Sequence, residues 1–118
     1  MPKLLIVDDE QDVREFAKNF FLKRNIDTAT ASGGNEAIAM IKEQKPQLVL
    51  LDIRMEDMSG LDVLGEIKKI DSAIKVIMVT GVDEPEAMET AKQRGALNYV
   101  HKPLILDELE GVVLKELT

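Results

Sequence analysis

Three acidic residues in a row, Asp8, Asp9 and Glu10, follow the apolar run Leu4-Leu5-Ile6-Val7, and a fourth, Asp52, follows Leu48-Val49-Leu50-Leu51. Two further apolar stretches lead to Thr80-Gly81 and to Lys102-Pro103. Carboxylates gathered in one place repel one another, and no packing requirement asks for them there, so a bound cation is the economical reason for their presence. Oxygen donors with no His or Cys nearby suit Mg²⁺, with Mn²⁺ as the alternative, better than zinc or copper. The Thr80 hydroxyl and the Lys102 ammonium suit the oxygens of a phosphoryl group. One carboxylate is then left to act as nucleophile, and Asp52 is the natural choice because it ends a central strand where a loop begins.

Such a site exists only if the chain brings those positions together, and the intervening pattern says how. Leu4 to Val7, Leu48 to Leu51 and Val76 to Val79 are unbroken apolar runs, the signature of strands covered on both faces, whereas 26–30 and 97–100 are mixed, as edge strands are. Val13, Phe16, Ala17, Phe20 and Phe21 recur at helical spacing. Ser32-Gly33-Gly34 reads as a turn before a helix over 35–43, closed by Pro46. Ser59 with Asp62 resembles a capping box opening a helix that buries Leu61, Leu64 and Ile67. Pro85 and Gly95 bracket a fourth helix with a thin apolar face of Ala87, Met88 and Ala91. A fifth, over 106–117, presents Leu109, Val112, Val113 and Leu117 despite Gly111 in its interior. Five strand-helix units predict an α/β fold, a three-layer α/β/α sandwich around a five-stranded parallel sheet, because right-handed crossovers place helices on both faces. In such sheets the functional crevice lies at the carboxyl ends of the strands, where all the residues named above fall.

Composition narrows the field further. The 118 residues suit one domain, 1–118, large enough to hold a core without a disulfide or structural metal. The absence of Cys removes thiolate chemistry and suits a reducing compartment. Apolar runs of about four residues fall far short of the roughly 20 needed to cross a bilayer. Met1-Pro2-Lys3 leads straight into one of them, so no secretory signal is expected and the cytoplasm is the expected location. A formal charge of -7 disfavours direct contact with a nucleic-acid backbone.

Taken together, Val7-Asp8-Asp9-Glu10, Leu51-Asp52-Ile53-Arg54-Met55 running to Ser59-Gly60, Thr80-Gly81, and Gly95-Ala96-Leu97-Asn98-Tyr99-Val100-His101-Lys102-Pro103 resemble, end to end, a receiver domain of a two-component response regulator. The resemblance implies a doubly wound, flavodoxin-like sheet of order 2-1-3-4-5. It implies that Asp52 accepts a phosphoryl group from a sensor histidine kinase or a phosphotransfer protein, in a reaction the domain itself promotes without being a turnover enzyme. Mg²⁺ would be bound by Asp9 directly, by Asp8 through water, by Asp52 and by the backbone carbonyl of Arg54. Lys102 would pair with the phosphate, Thr80 would move to hydrogen-bond it, and Tyr99 would turn inward behind it. The changed face, made by the fourth helix, fifth strand and fifth helix, would signal to an output domain or protein or form a homodimer. The Lys102-Pro103 peptide is expected to be cis.

The chain departs from the family pattern at Glu56, where proline is usual, and at Leu104 and Ile105; Arg54 and Val82 occupy positions that tune the lifetime of the acyl phosphate. Plainer readings stand beside these. Asp9 could cap the first helix, Tyr99 could be an ordinary edge-strand aromatic, His101 reads as incidental, Met55 and Met58 as packing, and Gly60 as the residue that lets the loop turn. A dehalogenase-type phosphatase would need an aspartate where Arg54 stands, and a flavin carrier would not place Asp8-Asp9-Glu10 against a phosphate.

Overall fold

Each unbroken apolar run becomes a central strand buried on both faces. In the computed structural model, which describes residues 2–81 and 85–117, these are β1 (Leu4–Val7), β3 (Leu48–Asp52) and β4 (Lys75–Thr80). The mixed segments β2 (Thr28–Ala31) and β5 (Asn98–His101) take the edges, each shifted by one or two residues from its expected span. All neighbours are parallel, in the order β2-β1-β3-β4-β5, as the resemblance implied.

Side chains alternate across each strand, so one continuous run feeds two separate cores. Leu5, Val7, Val49, Leu51, Val76 and Met78 face α2 (Gly34–Gln44), α3 (Gly60–Ile70) and α4 (Pro85–Gln93). Leu4, Ile6, Leu48, Leu50, Ile77 and Val79 face α1 (Gln11–Leu22) and α5 (Leu106–Leu117). The chain leaves β1 toward the α1 face and returns to β3 from the opposite one. The carboxyl ends of β1 and β3 therefore flank the point where the winding reverses.

The helices bury narrower faces than their periodicity suggests. In α1 Ala17 and Phe21 are buried, but Phe16 is 71% exposed. In α3 the buried set is Val63, Leu64 and Ile67, with Leu61 only half-buried. In α4 it is Ala87 and Ala91, with Met88 exposed; in α5 it is Leu109 and Val113, with Val112 and Leu117 half-buried. Ser59 caps α3 by accepting the Leu61 N–H, while Asp62 pairs with Arg94 beyond α4 rather than completing a capping box. The helix α2 starts one residue earlier than expected, at Gly34, and ends at Gln44, with Lys45 capping it in the left-handed region just before Pro46.

Candidate functional site

The carboxyl ends of β1, β3, β4 and β5 bring the expected residues to one mouth. Asp8 continues β1 by donating its N–H to the Ala31 carbonyl, and it is buried; its Oδ1 accepts the Glu10 N–H at 2.9 Å, and its carbonyl accepts Arg14 Nη1 at 2.8 Å. Those bonds start α1 and aim the Asp8 carboxylate at the sheet end. Asp52 is the last residue of β3 and 4% exposed. Directly after it, Ile53 donates to the Val79 carbonyl and accepts the Gly60 N–H at 2.7 Å, which folds the loop back over the strand.

Lys102 arrives from the far edge. Its backbone N–H donates to the Thr80 carbonyl at 2.7 Å, and the peptide to Pro103 is cis, as expected. The ammonium then lies 2.9 Å from Asp8 Oδ2, 3.1 Å from Asp52 Oδ2 and 3.4 Å from Glu10 Oε1. One cation thus serves three carboxylates, and the electrostatics are lopsided. Burial pulls the ammonium down, but its hydrogen bonds and the charges of Asp8 and Asp52 outweigh that and hold it above its ordinary value. Asp52 moves up as well. Burial is the main cause, and the charge of Asp8 adds to it, against lowering by Lys102 and by the Arg54 backbone N–H. A shared ammonium cannot compensate a buried carboxylate in full.

That residual negative charge is what a divalent ion would relieve. Carboxylate oxygens of Asp8, Asp9 and Glu10 lie within 4.8 Å of one another, Asp8 buried and the other two open to solvent, and all are hard donors that suit Mg²⁺ or Mn²⁺.

Thr80 ends β4, buried, beside Lys102. Arg54 follows Asp52 with its side chain exposed and its backbone against the Asp52 carboxylate. Tyr99 stands apart from the mouth, half-buried on β5 among the residues under α4, with its hydroxyl oxygen enclosed. Its ring meets His101 edge-on, with centroids 5.5 Å apart. Val82 lies outside the described residues.

Three features escaped the sequence. Glu10 shares Lys102, and Arg14 holds the Asp8 carbonyl; the only trace of the second was a basic residue one turn after the acidic run. The third concerns Gly60. Its φ is not positive, and a Cβ there would lie 2.0 Å from the Asp52 carbonyl oxygen, so close approach rather than turn geometry demands glycine.

Known proteins show the same arrangement of chain. A family model described as the response regulator receiver domain matches residues 4–114. The chain is 36% identical over 115 residues to sporulation initiation phosphotransferase F of Bacillus subtilis, covering 98% of this chain and 93% of that protein. It is 36% identical over 115 residues to the regulatory protein AtoC of Escherichia coli, covering 98% of this chain but only 25% of that longer relative. A solved CheY-like response regulator receiver domain protein from Methanospirillum hungatei superposes with a TM-score of 0.95 at 28% identity, covering 99% of this chain and 94% of that one. With the family pattern running from β1 into α5, the chain belongs to the response regulator receiver domains, which are signalling switches rather than turnover enzymes.

Proposed function

We propose that residues 1–118 form one receiver domain whose Asp52 accepts a phosphoryl group from a phosphohistidine on a sensor histidine kinase or phosphotransfer protein. The observation that carries this reading is the setting of Asp52: buried at the end of a central strand, 3.1 Å from the Lys102 ammonium and beside Asp8. Asp9, Asp52, the Arg54 backbone carbonyl and, through water, Asp8 would hold Mg²⁺, or Mn²⁺ in its place. When bound, the ion neutralises charge on the phosphoryl oxygens during transfer. An Asp52 carboxylate oxygen attacks phosphorus as the phosphorus–nitrogen bond breaks; the electron pair leaves with the imidazole nitrogen, which takes a proton from solvent. Lys102, already within reach of Asp52, pairs with the new phosphate. The same residues later orient the water that hydrolyses the aspartyl phosphate.

Phosphorylation adds about -1.5 to -2 charges and three acceptor oxygens. In this reading Thr80 moves to meet them, Tyr99 turns inward, and α4 shifts over a core contact of only two alanines among its described residues. The α4-β5-α5 face then binds an output domain or protein, or a second copy of the chain. The cysteine-free domain works in the cytoplasm. Intact mass after treatment with acetyl phosphate tests the proposal. Wild type is expected to gain one phosphoryl group with Mg²⁺ and none in EDTA, and Asp52→Asn none in either; equal labelling of the variant would overturn it.

A further inference from the structure

The loop from Asp52 to Gly60 is pinned at a point that phosphoryl transfer does not use. Its Asp57 carboxylate crosses to the start of α2, where Oδ1 accepts the Gly34 N–H and Oδ2 the Asn35 N–H, both at 2.9 Å. These are first-turn donors with no partner inside the helix, and the N-cap residue, Gly33, has no side chain to satisfy them. Asp57 thus caps a helix to which it does not belong, and its charge meets the positive end of the helix dipole. The two bonds, Asn35 first and Gly34 second, hold its carboxyl below the ordinary value.

The seat is close-fitting. A Cβ on Gly33 would lie 2.9 Å from Asp57 Oδ1, and one on Gly34 would lie 2.2 Å from Met58 Cγ. The paired glycines that read as a turn are therefore the floor on which this loop rests. The helix beneath is a firm reference, since Gly34, Ala37 and Ile41 are all buried. At its other end the loop is fixed by the Gly60 N–H on the Ile53 carbonyl. Only Arg54, Met55 and Glu56 lie between Ile53 and the Asp57 anchor.

We propose that Asp57, by this two-pronged contact, positions the loop so that the Arg54 backbone is presented to Asp52 and to the cation. The inference rests on the phosphoacceptor reading. Without the anchor the loop samples more conformations, and cation binding must order it first. Losing any negative charge near the mouth also weakens cation binding, so the comparison that matters is with Glu56→Gln. That change removes one charge from the same loop and leaves the Gly34 and Asn35 contacts intact.

The test is Mg²⁺ titration followed by amide chemical shifts, together with amide hydrogen exchange, in wild type, Asp57→Ala, Asp57→Asn and Glu56→Gln. Asp57→Ala is expected to weaken Mg²⁺ at least threefold more than Glu56→Gln does, and to speed exchange at Gly34 and Asn35. Asp57→Asn, which keeps one acceptor, should fall between them and serves alone if the alanine variant does not fold. Equal weakening by the substitutions at 56 and 57 would overturn the inference, since Asp57 would then be one more charge. Acetyl phosphate labelling of the wild type separates the two failures: no label at Asp52 overturns the phosphoacceptor reading, whereas a labelled protein with equal Mg²⁺ effects overturns only the role of Asp57.

Discussion

Asp52 and Lys102 form an ion pair in which the two partners fare differently. The ammonium is shared among Asp8, Asp52 and Glu10, so it gains from each, while Asp52 keeps only part of its attention and bears the cost of burial and of Asp8. An acid whose value is raised in the folded chain destabilises the fold when ionised. With no divalent ion present, this contribution is absent below the ordinary value of 3.8, grows as pH rises from there, and is complete above the higher folded value. In EDTA, Asp52→Asn is therefore expected to melt above wild type at pH 7, and the gap to close as pH falls toward 3.8. A gap that widened on acidification would contradict the raised value. In the phosphoacceptor reading, the charge that costs stability in the free protein is the one a divalent ion and an incoming phosphoryl group would put to use.

Between strands and helices, the short connections at the carboxyl ends carry the geometry. Gly60 opens α3 directly against the Asp52 carbonyl, so the helix start and Asp52 are one packing unit. Gly60→Ala must push backbone aside, and overpacking of this kind costs about 1–3 kcal/mol. Urea unfolding of Gly60→Ala should show a loss in that range or above, whereas alanine at Gly65, inside α3 with nothing within 4 Å of its Cβ, should gain about 0.5–1 kcal/mol. The helix α4 is the counterpoint. It buries only Ala87 and Ala91 among its described residues, so little apolar area holds it to the sheet, and lightly packed elements are the ones that move.

Across the molecule as a whole, acidic and apolar surface meet beside the mouth. Phe16 is 71% and Ile105 55% exposed. An open groove of about 500 Å³ runs from Val13 and Phe16 to Pro103 and Leu104, with Glu10 and Lys102 at its edge. In the phosphoacceptor reading, a protein that delivers phosphohistidine to Asp52 approaches past Lys102, and an exposed aromatic side chain lining the same groove is the kind of anchor that dominates an interface. Phe16→Ala is expected to slow transfer from a phosphohistidine-bearing protein about tenfold, the equivalent of ~1.4 kcal/mol. Labelling by acetyl phosphate should stay unchanged, and stability should move by less than about 0.5 kcal/mol, as for most exposed positions. Equal slowing with both donors would place the effect at Asp52 rather than at docking. Among the described residues no helix is long and apolar enough to cross a membrane.

The five strands, their parallel arrangement and the positions of Asp8, Asp52, Thr80 and Lys102 at the strand ends were legible in the order of amino acids. Apolar continuity and helical period are local signals, and a parallel α/β chain can satisfy them in few ways. The depth of each helix was not legible. Periodicity marks which side of α1 is apolar, but only packing against α5 and the sheet leaves Phe16 outside while Phe21 is enclosed. Nor could spacing reveal that Glu10 shares Lys102 across 92 positions, or that Asp57 caps α2. The reason for Gly60 belongs here too, since it depends on a carbonyl eight residues earlier folding back to within 2.0 Å of where a side chain would begin. These are contacts between segments distant in sequence or folded back on one another, set by the distances that remain once the sheet and helices have packed, and no pattern within a single segment encodes them.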